Sequence, residues 1–213
     1  EVKGGNRIAA FAKREVGRVL ALASLVVIFI FFTIMRPVFA SWENVSGGIL
    51  MSTTVIGLMA IGTTFVIITG GIDLSIGTAT ALVAVIVGKL VQGLNLNVWT
   101  GILVGILVGG LCGVINGLLI TILKLPPFIA TLATMSIFRS LTLYISEAGE
   151  VISDNDIYPE IGGGYFMNIP YPVIIFLGLA LLFHILLNNT AFGRHVCAVG
   201  ANQQVAVYSA IKV

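Results

Sequence analysis

Thr69-Gly70-Gly71-Ile72-Asp73-Leu74-Ser75-Ile76-Gly77-Thr78 interrupts an apolar run that extends from Ile49 to Val91. Asp73 is the only charge between Glu43 and Lys89. An acid in such a run is costly in hydrocarbon unless it is capped, paired or wet. The two adjacent glycines ahead of it predict a turn or break of the backbone. A chain break, a charge and membrane depth thus coincide, as they do in transport proteins and not in simple anchors.

Composition agrees with that setting. Of 213 residues, 58% are hydrophobic and 9% charged, against about 25% charged in an average soluble domain. The apolar stretches are long and continuous, so the fold class is all-α, a polytopic helical membrane protein. Six spans are expected, at Val19–Met35, Ile49–Ile68, Ser75–Val91, Val98–Leu123, Phe128–Ile145 and Pro170–Leu187. The second and third also read as one unit bent at Gly70-Gly71.

Charge placement sets the orientation. Lys3, Arg7, Lys13, Arg14 and Arg18 precede the first span and place the N-terminus in the cytoplasm. Six crossings return the C-terminal tail, with Arg194 and Lys212, to the same side. Glu147, Glu150, Asp154, Asp156 and Glu160 lie between the fifth and sixth spans, as expected outside. The chain divides into a cytoplasmic segment 1–18, a transmembrane bundle 19–187 and a cytoplasmic tail 188–213.

The fourth span carries Gly101, Gly105, Gly109, Gly113 and Gly117 at spacing four, one small-residue face for close helix packing. Asn116 stands beside it and is placed to hydrogen-bond across helices. Pro126-Pro127 end the fourth helix and start the fifth. The tail begins with a glycine-broken loop, Asn188–Gly200. A short helix follows over residues 201–213, with Val205, Tyr208 and Ile211 as an apolar stripe suited to a protein groove.

Enzyme chemistry has little support. The chain has no Gly-x-x-x-x-Gly-Lys-Ser/Thr phosphate loop, no metal-ligand spacing among His184, His195, Cys112 and Cys197, and no nucleophile–base pair. His184 reads as a hydrogen-bonded helix residue.

Three blocks of sequence carry a family resemblance. They are Gly70–Gly77; Asn116–Ile120 with Leu125–Leu132; and Gly193-Arg194-His195, Ala198-Val199-Gly200, Asn202, Ala206 and Ser209. In this order they resemble the ribose-type sugar permeases of bacterial ATP-binding-cassette importers. Gln203-Gln204, Tyr208 and Ala210 depart from that pattern, the last where glycine is usual. The family's permeases continue through further spans, so the chain resembles a truncated one. The resemblance implies a multi-pass protein of the bacterial cytoplasmic (inner) membrane that moves a monosaccharide inward. It implies an external or periplasmic solute-binding protein, a second permease subunit and a cytoplasmic ATPase that holds the ATP. It implies no cofactor in this chain and no nucleic acid. Gly193, Arg194, Gly200, Asn202, Ala206 and Ser209 would form the ATPase-coupling segment.

A neutral sugar needs hydrogen-bonding groups along its path. Thr64, Ser75, Asn116 and Thr131 are candidates, with Thr63 and Thr78 beside them, although each also suits helix packing. Gly70 and Gly71 read as a hinge, and Asp73 as an acid capping the positive end of the third helix. The alternative is an ion-coupled secondary carrier in which the break at Gly70–Asp73 coordinates a cation. A non-transporting scaffold would need neither Asp73 nor the glycines.

Overall fold

The computed structural model describes residues 5–94, 97–151 and 161–211, and for residues 5–15 and 18 the backbone alone. Lys3, Lys212, Asp154, Asp156, Glu160 and the side chains of Arg7, Lys13, Arg14 and Arg18 lie outside the described residues. The chain divides into two units, Glu1–Leu50 and Met51–Val213.

The first unit is helix α1 (Gly5–Met35), a 3-10 turn at Pro37–Ala40 and a π-helical segment at Asn44–Leu50. Pro37 stops α1 by forcing Arg36 to φ −147° and ψ 100°, outside the helical region. Phe39 then folds onto Phe29 and Phe32, with ring centroids 5.4 Å away in both cases.

The second unit holds α2 (Met51–Ile68), α3 (Ile76–Leu94), α4 (Val98–Thr121), α5 (Pro127–Ile145), α6 (Tyr171–Asn189), α7 (Ala191–Ala201) and α8 (Gln203–Tyr208). Strands β1 (Tyr165–Phe166) and β2 (Ile169–Pro170) form a hairpin ahead of α6. Met167 and Asn168, at φ 49° and 66°, make its two-residue turn. Prolines sit in the first turns of α5 and α6, where a missing N–H has no helical partner to lose.

Among the described residues five helices are long and apolar enough to cross a membrane: Asn44–Ile68, α3, α4, α5 and α6. Six spans were expected. The difference is the first, where the apolar part of α1 is confined to Val19–Met35. Arg18 and Arg36 bound that stretch, which has the minimum length for a span. The second and third spans are separate helices and not one bent unit.

The break between them has a specific geometry. Gly70 N–H donates to the Ile67 carbonyl (3.0 Å) and Gly71 N–H to the Val66 carbonyl (2.9 Å). Gly70 has φ +81°. This is the paired closure in which a left-handed residue satisfies the last carbonyls of a helix. A Cβ on Gly71 would stand 3.0 Å from the Val66 side chain.

Two packed groups flank this break. Helices α3, α4 and α5 meet through Leu82, Cys112 and Phe138, supported by Ala79, Ile86 and Ile145. The glycine stripe of α4 serves this contact at one end only. A Cβ on Gly105 would touch Val83 and Val87, whereas Gly113 and Gly117 face open space. The other group is α2 with α6, α7 and α8. Here Gly57 lies so close to the Phe176 ring that a Cβ would stand 2.6 Å from it. Most large apolar side chains of the spans face outward, as lipid allows.

The tail differs from the expected loop. Ala191–Ala201 is helical, because Thr190 is extended and its hydroxyl accepts the Gly193 N–H (3.3 Å), starting a new helix directly after α6. The last helix is shorter than expected and ends at Tyr208.

Gly70→Ala places a Cβ in the left-handed region and is expected to destabilise the protein by about 1 kcal/mol. A fall in the thermal unfolding midpoint in detergent checks this. Gly77→Ala, within the first turn of α3 with nothing near its Cβ, should leave the midpoint unchanged or raised.

Candidate functional site

Two sites emerge from the expected residues, one inside the bundle and one at its end. The inner site begins at Asp73. Its Oδ1 accepts the Ser75 N–H (2.8 Å) and the Ser75 hydroxyl (2.7 Å). The carboxylate therefore caps one amide just outside α3, a narrower role than capping the first-turn amides. Ser75 holds the capping position itself, with its carbonyl accepting from Ala79 N–H (2.8 Å).

Ser75 Oγ also accepts from Asn116 Nδ2 on α4 (2.7 Å), and Asn116 Oδ1 accepts from the Thr134 hydroxyl on α5 (2.7 Å). Thr131, one turn earlier on α5, shares its hydroxyl proton between the Pro127 carbonyl (2.8 Å) and the Ile72 carbonyl (3.1 Å). Ser75, Asn116, Thr131 and Thr134 are 1%, 7%, 1% and 2% exposed. The network is buried, and its donors and acceptors answer one another.

Three of the four sugar-path candidates thus lie buried around the break: Ser75 and Asn116 bind each other, and Thr131 binds the Ile72 and Pro127 carbonyls. Thr64 does not join them. It is exposed, returns its hydroxyl to the Ala60 carbonyl (2.7 Å), and lines a shallow cleft with Phe65, Phe183 and His184. Thr63 likewise bonds to Met59 (2.9 Å) and Thr78 to Ser75 (2.8 Å). Sequence reasoning missed Thr134. Its spacing of three from Thr131 puts both on one face of α5, the signal that was available. His184 is bonded to Asn188 one turn on, as expected of a helix residue.

The second site is the tail. Gly193 packs against the Leu187 backbone, and Gly200 against the Ile68 carbonyl, so closely that a Cβ at either would overlap the main chain. Phe192 stacks toward Phe65 of α2 at 6.2 Å. These contacts seat α7 on the last turn of α2, directly before Gly70-Gly71. Thr69, Phe192, His195, Val196, Val199, Ala210 and Ile211 line a groove of about 530 Å³ there.

Asn202 Oδ1 accepts the N–H groups of Gln204 (3.0 Å) and Val205 (3.1 Å) and so caps α8. Ala206 is the buried residue of α8, while Arg194 and Ser209 are exposed. At its end, Ala210 N–H reaches Val207 and Ile211 N–H reaches Ala206, with Ala210 at φ 60°. This is the closure seen at Gly70, made with alanine. The expected stripe consequently splits: Val205 and Tyr208 are exposed, and Ile211 turns into the groove.

Asn116→Leu removes one bond from each of Ser75 and Thr134, whose hydroxyls keep the Asp73 carboxylate (2.7 Å) and the Thr131 carbonyl (3.2 Å), and should cost about 1–3 kcal/mol in all. Thr64→Val, which removes only a local bond at an exposed position, should fall within about 0.5 kcal/mol of wild type. Denaturant unfolding of the purified permease in mixed micelles compares the two.

Comparison with known proteins bears on what these sites serve. The family model described as "Branched-chain amino acid transport system / permease component" matches residues 46–213. The chain is 42% identical over 203 residues to the ribose import permease protein RbsC of Bacillus subtilis, covering 94% of this chain and 61% of that protein. It is 33% identical over 207 residues to RbsC of Haemophilus influenzae, covering 93% and 64%. It is 34% identical over 193 residues to the L-arabinose transport system permease protein AraH of Escherichia coli, covering 90% and 58%. The chain therefore spans about three fifths of the length of these relatives. No solved structure matches it. A helical multi-pass protein matched over residues 46–213, this chain belongs to the family of transport-system permease components.

Proposed function

We propose that this chain forms membrane-spanning structure of an ATP-binding-cassette importer that moves a monosaccharide inward across the bacterial cytoplasmic membrane. The likeness to the ribose and L-arabinose permeases carries the reading. In it, an external solute-binding protein delivers the sugar, a second permease subunit completes the path, and a cytoplasmic ATPase supplies the power stroke. With Val19–Met35 counted as a crossing, the tail lies in the cytoplasm with the ATPase.

The tail geometry supports the coupling role. Arg194, Asn202 and Ser209 face outward, and Val205 and Tyr208 offer apolar contact. Gly193 and Ala206 are buried, and Gly200, at an exposed edge, abuts the Ile68 carbonyl, so the three seat the helix pair on the bundle. Helix α8 carries no Lys or Arg, which favours a protein groove over an anionic lipid surface.

Ser75, Asn116 and Thr131 act in this reading by positioning α3, α4 and α5, since Ser75 and Asn116 are bonded to each other and the Thr131 hydroxyl is held by the Ile72 and Pro127 carbonyls. Asp73 is engaged by Ser75, which favours a structural role over cation binding and weighs against the ion-coupled carrier.

Reconstitution of the permease with its ATPase and binding protein tests this. Uptake of labelled pentose should require both partners and ATP. Asn202→Ala, which uncaps α8 at a cost of about 1 kcal/mol, should lower uptake several-fold while the permease remains folded. Uptake driven by a sodium or proton gradient without the ATPase would overturn the reading.

A further inference from the structure

We propose that Gly200 and Thr131 grip the two ends of the 69–75 break, so that a displacement of the tail helices is delivered to α3, α4 and α5 together. The idea deepens the importer reading and rests on it for its purpose.

The two packed groups of the second unit leave few routes between them. Helix α2 packs on α6 and α7, and α3 packs on α4 and α5, but α2 and α3 touch each other sparsely. The break is therefore the main joint, and both of its ends are held. On the tail side Gly200 abuts the carbonyl of Ile68, the last residue of α2. That carbonyl stands two residues before Gly70, where the chain turns at φ +81°. On the bundle side Thr131 reaches the Ile72 carbonyl (3.1 Å), and Asn116 reaches Ser75 Oγ (2.7 Å).

Compression through Gly200 leaves the end of α2 little freedom to yield locally. The Gly71 N–H to Val66 bond and the close Gly71–Val66 approach tie the turn to its own helix. A shift of Ile68 thus loads Ile72 and Ser75. From Ser75 it passes to Asn116 on α4 and Thr134 on α5 through two bonds of 2.7 Å. Buried bonds of this kind resist stretching, because no water or lipid group replaces a lost partner. Such a chain behaves as a hinge between two rigid groups. Gly200 and Thr131 are positioning residues: neither needs to touch the solute.

A double-mutant cycle read by amide hydrogen exchange on the permease alone, in lipid nanodiscs, tests the link. Gly200→Ala should speed exchange at residues 71–75, which it does not touch, and at 131–134. Thr131→Val, nearly isosteric, should speed exchange at 71–75, and Thr131→Ser should restore it. The double variant should depart from the product of the single effects by about threefold or more, the scale for coupled groups. If Gly200→Ala does not fold, Phe192→Ala loosens the same seat through Phe65 and replaces it. Unchanged exchange at 71–75 in the seat variant, or single effects that simply multiply, would overturn the proposal. The importer reading stands or falls separately, on ATP-dependent uptake.

Discussion

Hydrocarbon offers no hydrogen bonds, so a polar group carried into it must be satisfied by the protein itself. Asn116 meets that constraint with both ends of its amide, donating to Ser75 and accepting from Thr134. Much of the bundle follows from this pairing. Ser75 is held at the start of α3, so the chain between α2 and α3 has a defined endpoint. Thr134 and Thr131 orient one face of α5 toward the break. Leu82, Cys112 and Phe138 then close the apolar contact between the same three helices. Packing supplies area, and the polar contacts supply register.

Glycine supplies the opposite freedom, and three glycines use it in two ways. Gly70 adopts a backbone conformation that a side chain resists. Gly193 and Gly200 allow main chain to approach main chain where a Cβ would overlap. The break at the end of α2 and the tail after α6 are far apart in sequence. These close approaches make them neighbours, because α7 rests on the turn that closes α2. The C-terminal closure at Ala210 repeats the geometry of Gly70 without its residue, at the position where the resemblance expects glycine.

Much of the fold was legible in the sequence. Apolar run length located the five long helices to within a few residues, and Pro126-Pro127 marked a helix start through their missing N–H groups. The length of the first apolar run fell at the limit of what spans a bilayer, where hydropathy does not discriminate. The tail was misread as a loop because Gly193 and Gly200 count as breakers by local propensity. In the folded chain they are contact glycines inside a helix, and propensity does not encode a neighbour's backbone.

The sequence by itself determined the solvent, the helical class, the family motifs and the existence of a break at Gly70-Gly71, since each is a property of local composition. Tertiary structure alone decided what the polar residues bond to. Ser75, Asn116 and Thr131 have the chemistry of solute ligands and of helix ties alike. Buried together, with Thr134 as the unforeseen fourth member, they tie α3, α4 and α5 to one another. The seat of Gly200 on Ile68 also belongs to tertiary structure, because a contact between residues far apart in the chain arises from packing.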